Sequence, residues 1–223
     1  MRATHRNRLA AGIGSIVLIA ALTACTSAAS VPTTTEAEEP YSVRQSAEQF
    51  AGYEGDYDSI SSPELAKLSI LVATGTVERV QEGRIQIIPE SPQEAGISTI
   101  VLVLRDVKAV QGNLEEGGDG FIYIELPNPG QREPEAYAEG LRTGARVVSY
   151  LYPASDGAPQ KDVDTGIADP RAGRPDGQPL YIPSSPQALI LQYQGEAVVW
   201  PFTGEIRDGR LEDTVPGGSL WAP

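Results

Sequence analysis

Beyond residue 60 the apolar side chains fall in short runs or in period-two alternation, the pattern of strands rather than of amphipathic helices. Ser69 to Val80 carries Ile70, Leu71, Val72, Thr74, Thr76, Val77 and Val80 with no helical stripe. Gln81-Glu82-Gly83 reads as a turn, and Arg84 to Ile88 returns with Ile85 and Ile87 on one face, so these two stretches predict a hairpin. Thr99 to Val110 is the strongest strand. Ile100, Leu102 and Leu104 face one way and Val101, Val103 and Val107 the other, which buries its first half on both faces, while Arg105, Asp106 and Lys108 make the second half partly polar. Phe121 to Leu126 and Ala145 to Tyr152 read as further strands, followed by two apolar runs, Ala188 to Tyr193 and Ala197 to Phe202. Gly204 to Arg207 and Arg210 to Glu212, joined by Asp208-Gly209, predict a last hairpin with a preferred turn dipeptide.

Helical signals are few. Ser62-Pro63-Glu64-Leu65 predicts a short helix ending near Leu68, with Ser62 as N-cap, Pro63 at the first helical position and Glu64 complementing the positive helix end. Glu133 to Leu141 has room for one helical turn or two, opened by Pro134 and closed by Gly144. Pro89 to Gly96 and Gln111 to Gly120 read as loops. Residues 153–179 are rich in Pro, Gly and Asp, and a connection that long inside one domain is either mobile or functional.

The chain opens differently. Arg2, Arg6 and Arg8 precede an apolar core from Leu9 to Leu22, then Thr23, Ala24 and Cys25, which is the order of a secretory signal with a processing site. The apolar core is shorter than the roughly 20 residues of a spanning helix. Leu22-Thr23-Ala24-Cys25 resembles the lipobox of bacterial lipoproteins. That resemblance implies removal of residues 1–24 as a signal peptide and diacylglyceryl attachment to the Cys25 sulfur, often with a further acyl chain such as palmitate. Two or more chains suffice for stable anchoring. It places the protein at the cell membrane, lipid-anchored on its extracytoplasmic face. Residues 25–40 carry almost no large apolar side chains and read as a disordered tether spanning about 20 Å. Residues 41–223 then form a single β-rich domain, the opening stretch of which, 41–58, carries Tyr41, Phe50, Tyr53 and Tyr57 among acids.

Composition then narrows the chemistry. His5, Met1 and Cys25 are the only residues of their types. A chain processed at Cys25 has no histidine, so it can form no Ser-His-Asp or Cys-His arrangement, no disulfide, and no zinc, copper or haem site ligated by His or by a free Cys. No cofactor is implied. The net charge of −13 becomes three units more negative when the three signal arginines leave. That argues against nucleic-acid partners and against docking of the folded body on anionic lipid, and it favours solubility.

Helix, strand and turn spacing together predict a mainly β fold, a small antiparallel barrel with one or two short helices, because closure removes exposed strand edges. A short helix, a strand ending in Gly75-x-Val77, a long central strand, then Leu141-x-x-Gly144 before another strand resembles the small OB-type barrels of exported bacterial proteins. The resemblance covers about residues 60–152. It carries no activity, since such barrels serve many functions.

Candidate sites are sparse. Asp162, Asp164 and Asp169 around Gly166 resemble the start of a calcium loop, but a third oxygen ligand and a distal Glu are missing, so a solvated acidic loop is the preferred reading. Glu115, Glu116, Glu205 and Asp213 are expected as surface charges. Lys67, Lys108 and Lys161 follow no serine at Ser-x-x-Lys spacing, and no Gly-rich phosphate loop occurs. Trp200 and Trp221 with Tyr150, Tyr152, Tyr181 and Tyr193 either line a sugar or peptide groove or pack in the barrel. The expected function is a non-catalytic binding or scaffolding domain at the cell envelope, with an envelope protein or glycan as partner. Two alternatives are a carrier of a small apolar ligand in a lumen lined by Ile100, Leu102 and Val148, and a carboxylate-dependent hydrolase.

Overall fold

The computed structural model describes residues 50, 59–87, 96–115, 118–155 and 166–221, all within a compact unit spanning Pro40–Pro223. The expected signal segment, Cys25, the expected tether, Glu116, Lys161, Asp162 and Asp164 lie outside the described residues. Nine strands among the described residues form one sheet, mostly antiparallel.

A short helix, α1 (Ser62–Leu68), precedes the first strand. Its cap is Ser61, one residue earlier than the sequence predicts. The Glu64 carboxylate reaches back to accept from the Ser61 N–H at 3.2 Å and hydroxyl at 2.7 Å, which binds the chain entry to the first turn. β1 (Leu71–Ile87) then runs unbroken through the expected turn at Gln81-Glu82-Gly83. The reason is local. A Cβ on Gly83 would stand 2.2 Å from Thr99 Oγ1, so this glycine permits close approach of β2 rather than a reversal. The hairpin is instead the pairing of all of β1 with β2 (Ile97–Gln111), with several bulges absorbing their strong coiling.

Five strands close the barrel. β2 pairs with β3 (Ile122–Pro127), β3 with β6 (Leu180–Pro183), β6 with β4 (Arg146–Pro153), and β4 returns to β1 through Leu71↔Leu151 to Thr76↔Arg146. The β3–β6 contact is parallel, through Tyr123↔Leu180 and Ile124↔Tyr181. This connectivity is an OB-like barrel, mainly antiparallel with one parallel seam. β6 was not expected from the sequence, because four residues ending in Pro183 carry little strand signal. β5 (Gly166–Ala168) lies inside the long connection and pairs with the end of β1. The last hairpin is β8 (Val198–Trp200) with β9 (Glu205–Arg207) rather than the two sides of Asp208-Gly209. Leu211–Thr214 is a 3₁₀ turn because Leu211 is buried and its N–H donates to Gln192 Oε1 at 3.0 Å. The predicted helical stretch near Glu133 is a single 3₁₀ turn, Pro134–Tyr137.

Alternation assigns the side chains. Leu71, Ala73, Ile100, Leu102, Leu104, Ile122, Ile124, Leu126, Val147 and Leu151 fill the interior, with Phe50, Tyr137 and Phe202 packed against them. The opposite faces of β1, β4 and β7 (Leu189–Gln192) turn Val72, Val148, Tyr150 and Ile190 toward α1, Trp200 and Leu211 in a second cluster. Val148 therefore belongs outside the barrel, not in a lumen with Ile100 and Leu102. Leu141 is buried in the barrel, and Gly144, at φ 89°, donates its N–H to Val77 O at 2.9 Å. That left-handed position suits glycine and ties the entry of β4 to β1.

Candidate functional site: a cleft at the parallel seam

The parallel seam is short. Pairing of β3 with β6 ends at Ile124↔Tyr181, and beyond it stand Pro127 and Pro183, which have no N–H to continue a ladder. The strands part there, and a cleft of about 670 Å³ opens between Glu125–Pro127 on one side and Ile182–Pro186 on the other. Asn128, Pro129, Gln131, Ile97–Thr99, Gln86, Tyr152 and Phe202 complete its lining.

One wall is held rigidly. Asn128 Nδ2 donates to Ser98 Oγ at 3.0 Å and to Arg132 O at 2.9 Å, while its Oδ1 accepts from the Arg132 N–H and the Tyr137 hydroxyl. Gln131, at φ 46°, accepts at Oε1 from the Ser98 N–H at 2.8 Å and donates from Nε2 to Asn128 O at 2.8 Å. The opposite wall turns on a 3₁₀ segment, Pro186–Ala188, capped by Ser185 Oγ accepting from the Gln187 N–H at 3.1 Å. Neutral hydroxyls and amides therefore alternate with proline and aromatic surfaces around the opening.

Glu125 is the one carboxylate in the lining, and it is occupied. Arg84 donates to it from Nε at 2.9 Å and from Nη2 at 2.5 Å, with both side chains more than 95% buried. Thr99 Oγ1 lies 2.9 Å from Glu125 Oε1 and 3.0 Å from Arg84 O, so its single proton serves one of them at a time. A second acid facing Glu125, which glycoside hydrolysis requires, is absent from this lining. The barrel interior, filled by the side chains above, gives no support to an apolar carrier.

The outer face of β1, β2 and β3, the face that OB barrels often use for ligands, is covered here by the chain's own long connection. β5 pairs with the end of β1, Gln81 Nε2 donates to Gly173 O at 2.7 Å, and Arg84 Nη1 donates to Ser155 O at 2.5 Å. Beneath lie Val101, Val103, Tyr123 and Leu180. Arg174 is fixed by donation to Gln178 O at 2.7 Å; burial, with Arg84 nearby, lowers its pKa.

The residues singled out from the sequence are dispersed. Asp169 is exposed, at φ 51°. Among the described residues no group of three or more Asp, Glu, His or Cys is close enough to hold a metal ion. Glu115 is exposed, and Glu205 and Asp213 are paired with Arg207 and Arg210. The aromatics do not form one groove. Trp200 and Tyr150 are buried in the second cluster, each ring edge-on to Trp221, Tyr181 is buried in the barrel, and Tyr152 alone of that group lines the cleft. Arg84 and Glu125 were not anticipated, because single charges in half-polar strands read as solvent-facing. No helix among the described residues is long and apolar enough to cross a membrane. Searches of family models, curated proteins and solved structures return no match to this chain.

Proposed function

We propose that the chain is an extracytoplasmic lipoprotein, acylated at Cys25, whose barrel binds an uncharged, hydroxyl-rich ligand of the cell envelope, a glycan strand, without transforming it. The observation that carries the binding reading is the cleft lining. Beside the engaged Asn128 and Gln131 amides, its free capacity is the Gln86 amide, the Tyr152 hydroxyl and proline surface, and its one charge is already neutralised by Arg84. Such a surface matches sugar hydroxyls and ring faces and offers nothing to a strongly charged ligand. The anchoring reading rests on Leu22-Thr23-Ala24-Cys25 behind a basic and apolar start.

Each half has its own test. Metabolic labelling with a fatty-acid analogue marks the protein, and Cys25→Ser loses the label and releases the chain from the membrane. Unlabelled wild type overturns the anchor. Titration of isotope-labelled protein with solubilised cell-wall glycan shifts resonances of Ser98, Tyr152 and Ser185, and Gln86→Trp, which fills the opening, weakens binding at least tenfold, or about 1.4 kcal/mol. Unmoved cleft resonances at saturating glycan overturn the binding half.

A further inference from the structure

The point at which the parallel seam stops fixes what its two strands offer a ligand. Ala154 N–H donates to Leu180 O at 2.8 Å, and Ser184 N–H donates to Tyr150 O at 2.9 Å. Leu180 and Ser184 therefore direct these main-chain groups at β4. Backbone direction alternates along a strand, so Tyr181 and Pro183 direct theirs at β3. In a parallel ladder each such residue bonds the two residues that flank its partner. Tyr181 stands opposite Ile124, so its rungs run to Tyr123 O and from Glu125 N–H. The next two rungs would need an N–H on Pro183, to serve Glu125 O, and an N–H on Pro127, to serve Pro183 O. Both donors are missing, and the pairing ends there. Neither proline harms a neighbouring ladder, because Pro183 is turned away from β4 and Pro127, in phase with Glu125, is turned away from β2.

Two main-chain carbonyls, Glu125 O and Pro183 O, are thus left without ladder donors, and both residues line the cleft. Glu125 is 4% exposed and its carboxylate is held by Arg84, so the carbonyl is what it can offer a ligand. A carbonyl so enclosed costs free energy until something donates to it. The edge accepts and does not donate, and that one-sidedness is selective. An inserted peptide strand alternates N–H with C=O along each edge, and its carbonyls would face proline nitrogens. A sugar hydroxyl donates once at this edge but brings two lone pairs of its own. An amide N–H only donates. The same lining provides for the rest of an acetamido group, with the Gln86 amide to donate to its carbonyl and Pro127, Ile182 and Phe202 as apolar surface for its methyl. We infer that the cleft selects acetamido sugars, whose amide N–H donates to Glu125 O or Pro183 O, over glycans that carry only hydroxyls. The inference rests on the glycan reading above and names the class of sugar for it.

The test uses the full-length protein, extracted from envelopes in detergent. Chitotetraose and cellotetraose share one ring and one linkage, and differ by a single exchange of acetamido for hydroxyl on each ring. Calorimetric titration gives at least tenfold tighter binding of chitotetraose, and the carbonyl-carbon resonances of Glu125 and Pro183 move as it binds. Pro127→Ala with Pro183→Ala supplies the two missing N–H groups, extends the seam and cuts chitotetraose affinity at least tenfold. Equal affinity for the two sugars, or unmoved Glu125 and Pro183 carbonyls at saturating chitotetraose, overturns the inference and leaves the glycan reading standing. A folded double variant that keeps wild-type affinity overturns it as well; if that variant does not fold, the pair of sugars on the wild type decides alone. Binding of neither sugar overturns the inference, and cleft resonances that also stay unmoved by solubilised cell-wall glycan overturn the glycan reading with it.

Discussion

Over β1, β4, β7 and β8 the barrel's outer surface is closed by apolar packing: Val72, Val148, Tyr150, Ile190 and Trp200 meet α1, Leu211 and Trp221. Over β1, β2 and β3 the closing segments are the chain at Ser155 and the 166–180 stretch, and much of their hold is polar, running from Arg84 to Ser155 O and from Gln81 to Gly173 O, with the Arg84–Glu125 pair beneath. The first covering tolerates one orphaned donor, Trp200 Nε1, which has no hydrogen-bond partner among the described residues. In the second, the buried charges are matched by Arg84's fork on Glu125. Apolar closure gains stability in proportion to area, whereas buried charge is stable only while every partner is present. The second covering is therefore the one that single substitutions disrupt out of proportion to their size.

That contrast yields its largest expected effect at Arg84. Arg84→Ala leaves Glu125 buried without a charge partner and is expected to cost about 3 to 5 kcal/mol in chemical denaturation. Arg84→Met with Glu125→Leu removes both charges and is expected to recover most of that loss. A double variant as unstable as the single one would show that the pair contributes more than its own neutralisation. Trp200→Ala, on the apolar side, is expected to cost about 3 to 5 kcal/mol through a cavity, with no comparable rescue by a second substitution nearby. Gly83→Ala is expected to cost about 1 to 3 kcal/mol, since its Cβ would overlap the Thr99 backbone as well as its hydroxyl.

Ionisation distinguishes the coverings more gently. Burial, then donation to Asp119, pushes the Tyr123 hydroxyl up to about 12, and burial also raises Tyr150 and Tyr181. The unfolded chain releases these protons near pH 10 while the folded one retains them, so stability is full below about pH 10 and falls as pH rises toward 12. Thermal melts across that range check the slope, and Tyr123→Phe should flatten it. The smallest effect is acidic. Hydrogen bonding to Arg146 lowers the Glu212 pKa, and hydrogen bonding to Arg210 lowers that of Asp213. The unfolded chain takes up these protons first, so their stabilisation is present above the usual carboxylate range and is lost as pH falls through the lower folded values. Added salt should weaken this dependence, because both pairs are exposed.

Strand positions were legible where alternation was strong. Ile100 to Leu104 reads as doubly buried from the sequence and is so in the barrel, and the fold class follows from such stretches. Topology was less legible, because Gly83 looks the same in a turn and at a close strand crossing, and four residues ending in Pro183 do not announce the strand that closes a barrel. Val148 was placed on the wrong face because β4 is buried on both sides, which removes the polar positions that mark an outside. The cleft left almost no trace in sequence. It exists because two prolines stop one pairing, and its lining comes from segments as far apart as Gln86 and Phe202.

The most direct test of the account is intact-mass analysis of the protein extracted from cell envelopes. The expected species begins at Cys25 and carries the added mass of a diacylglyceryl group, with or without a further acyl chain. A species beginning at Met1, or one beginning at Cys25 with a free thiol, would contradict it.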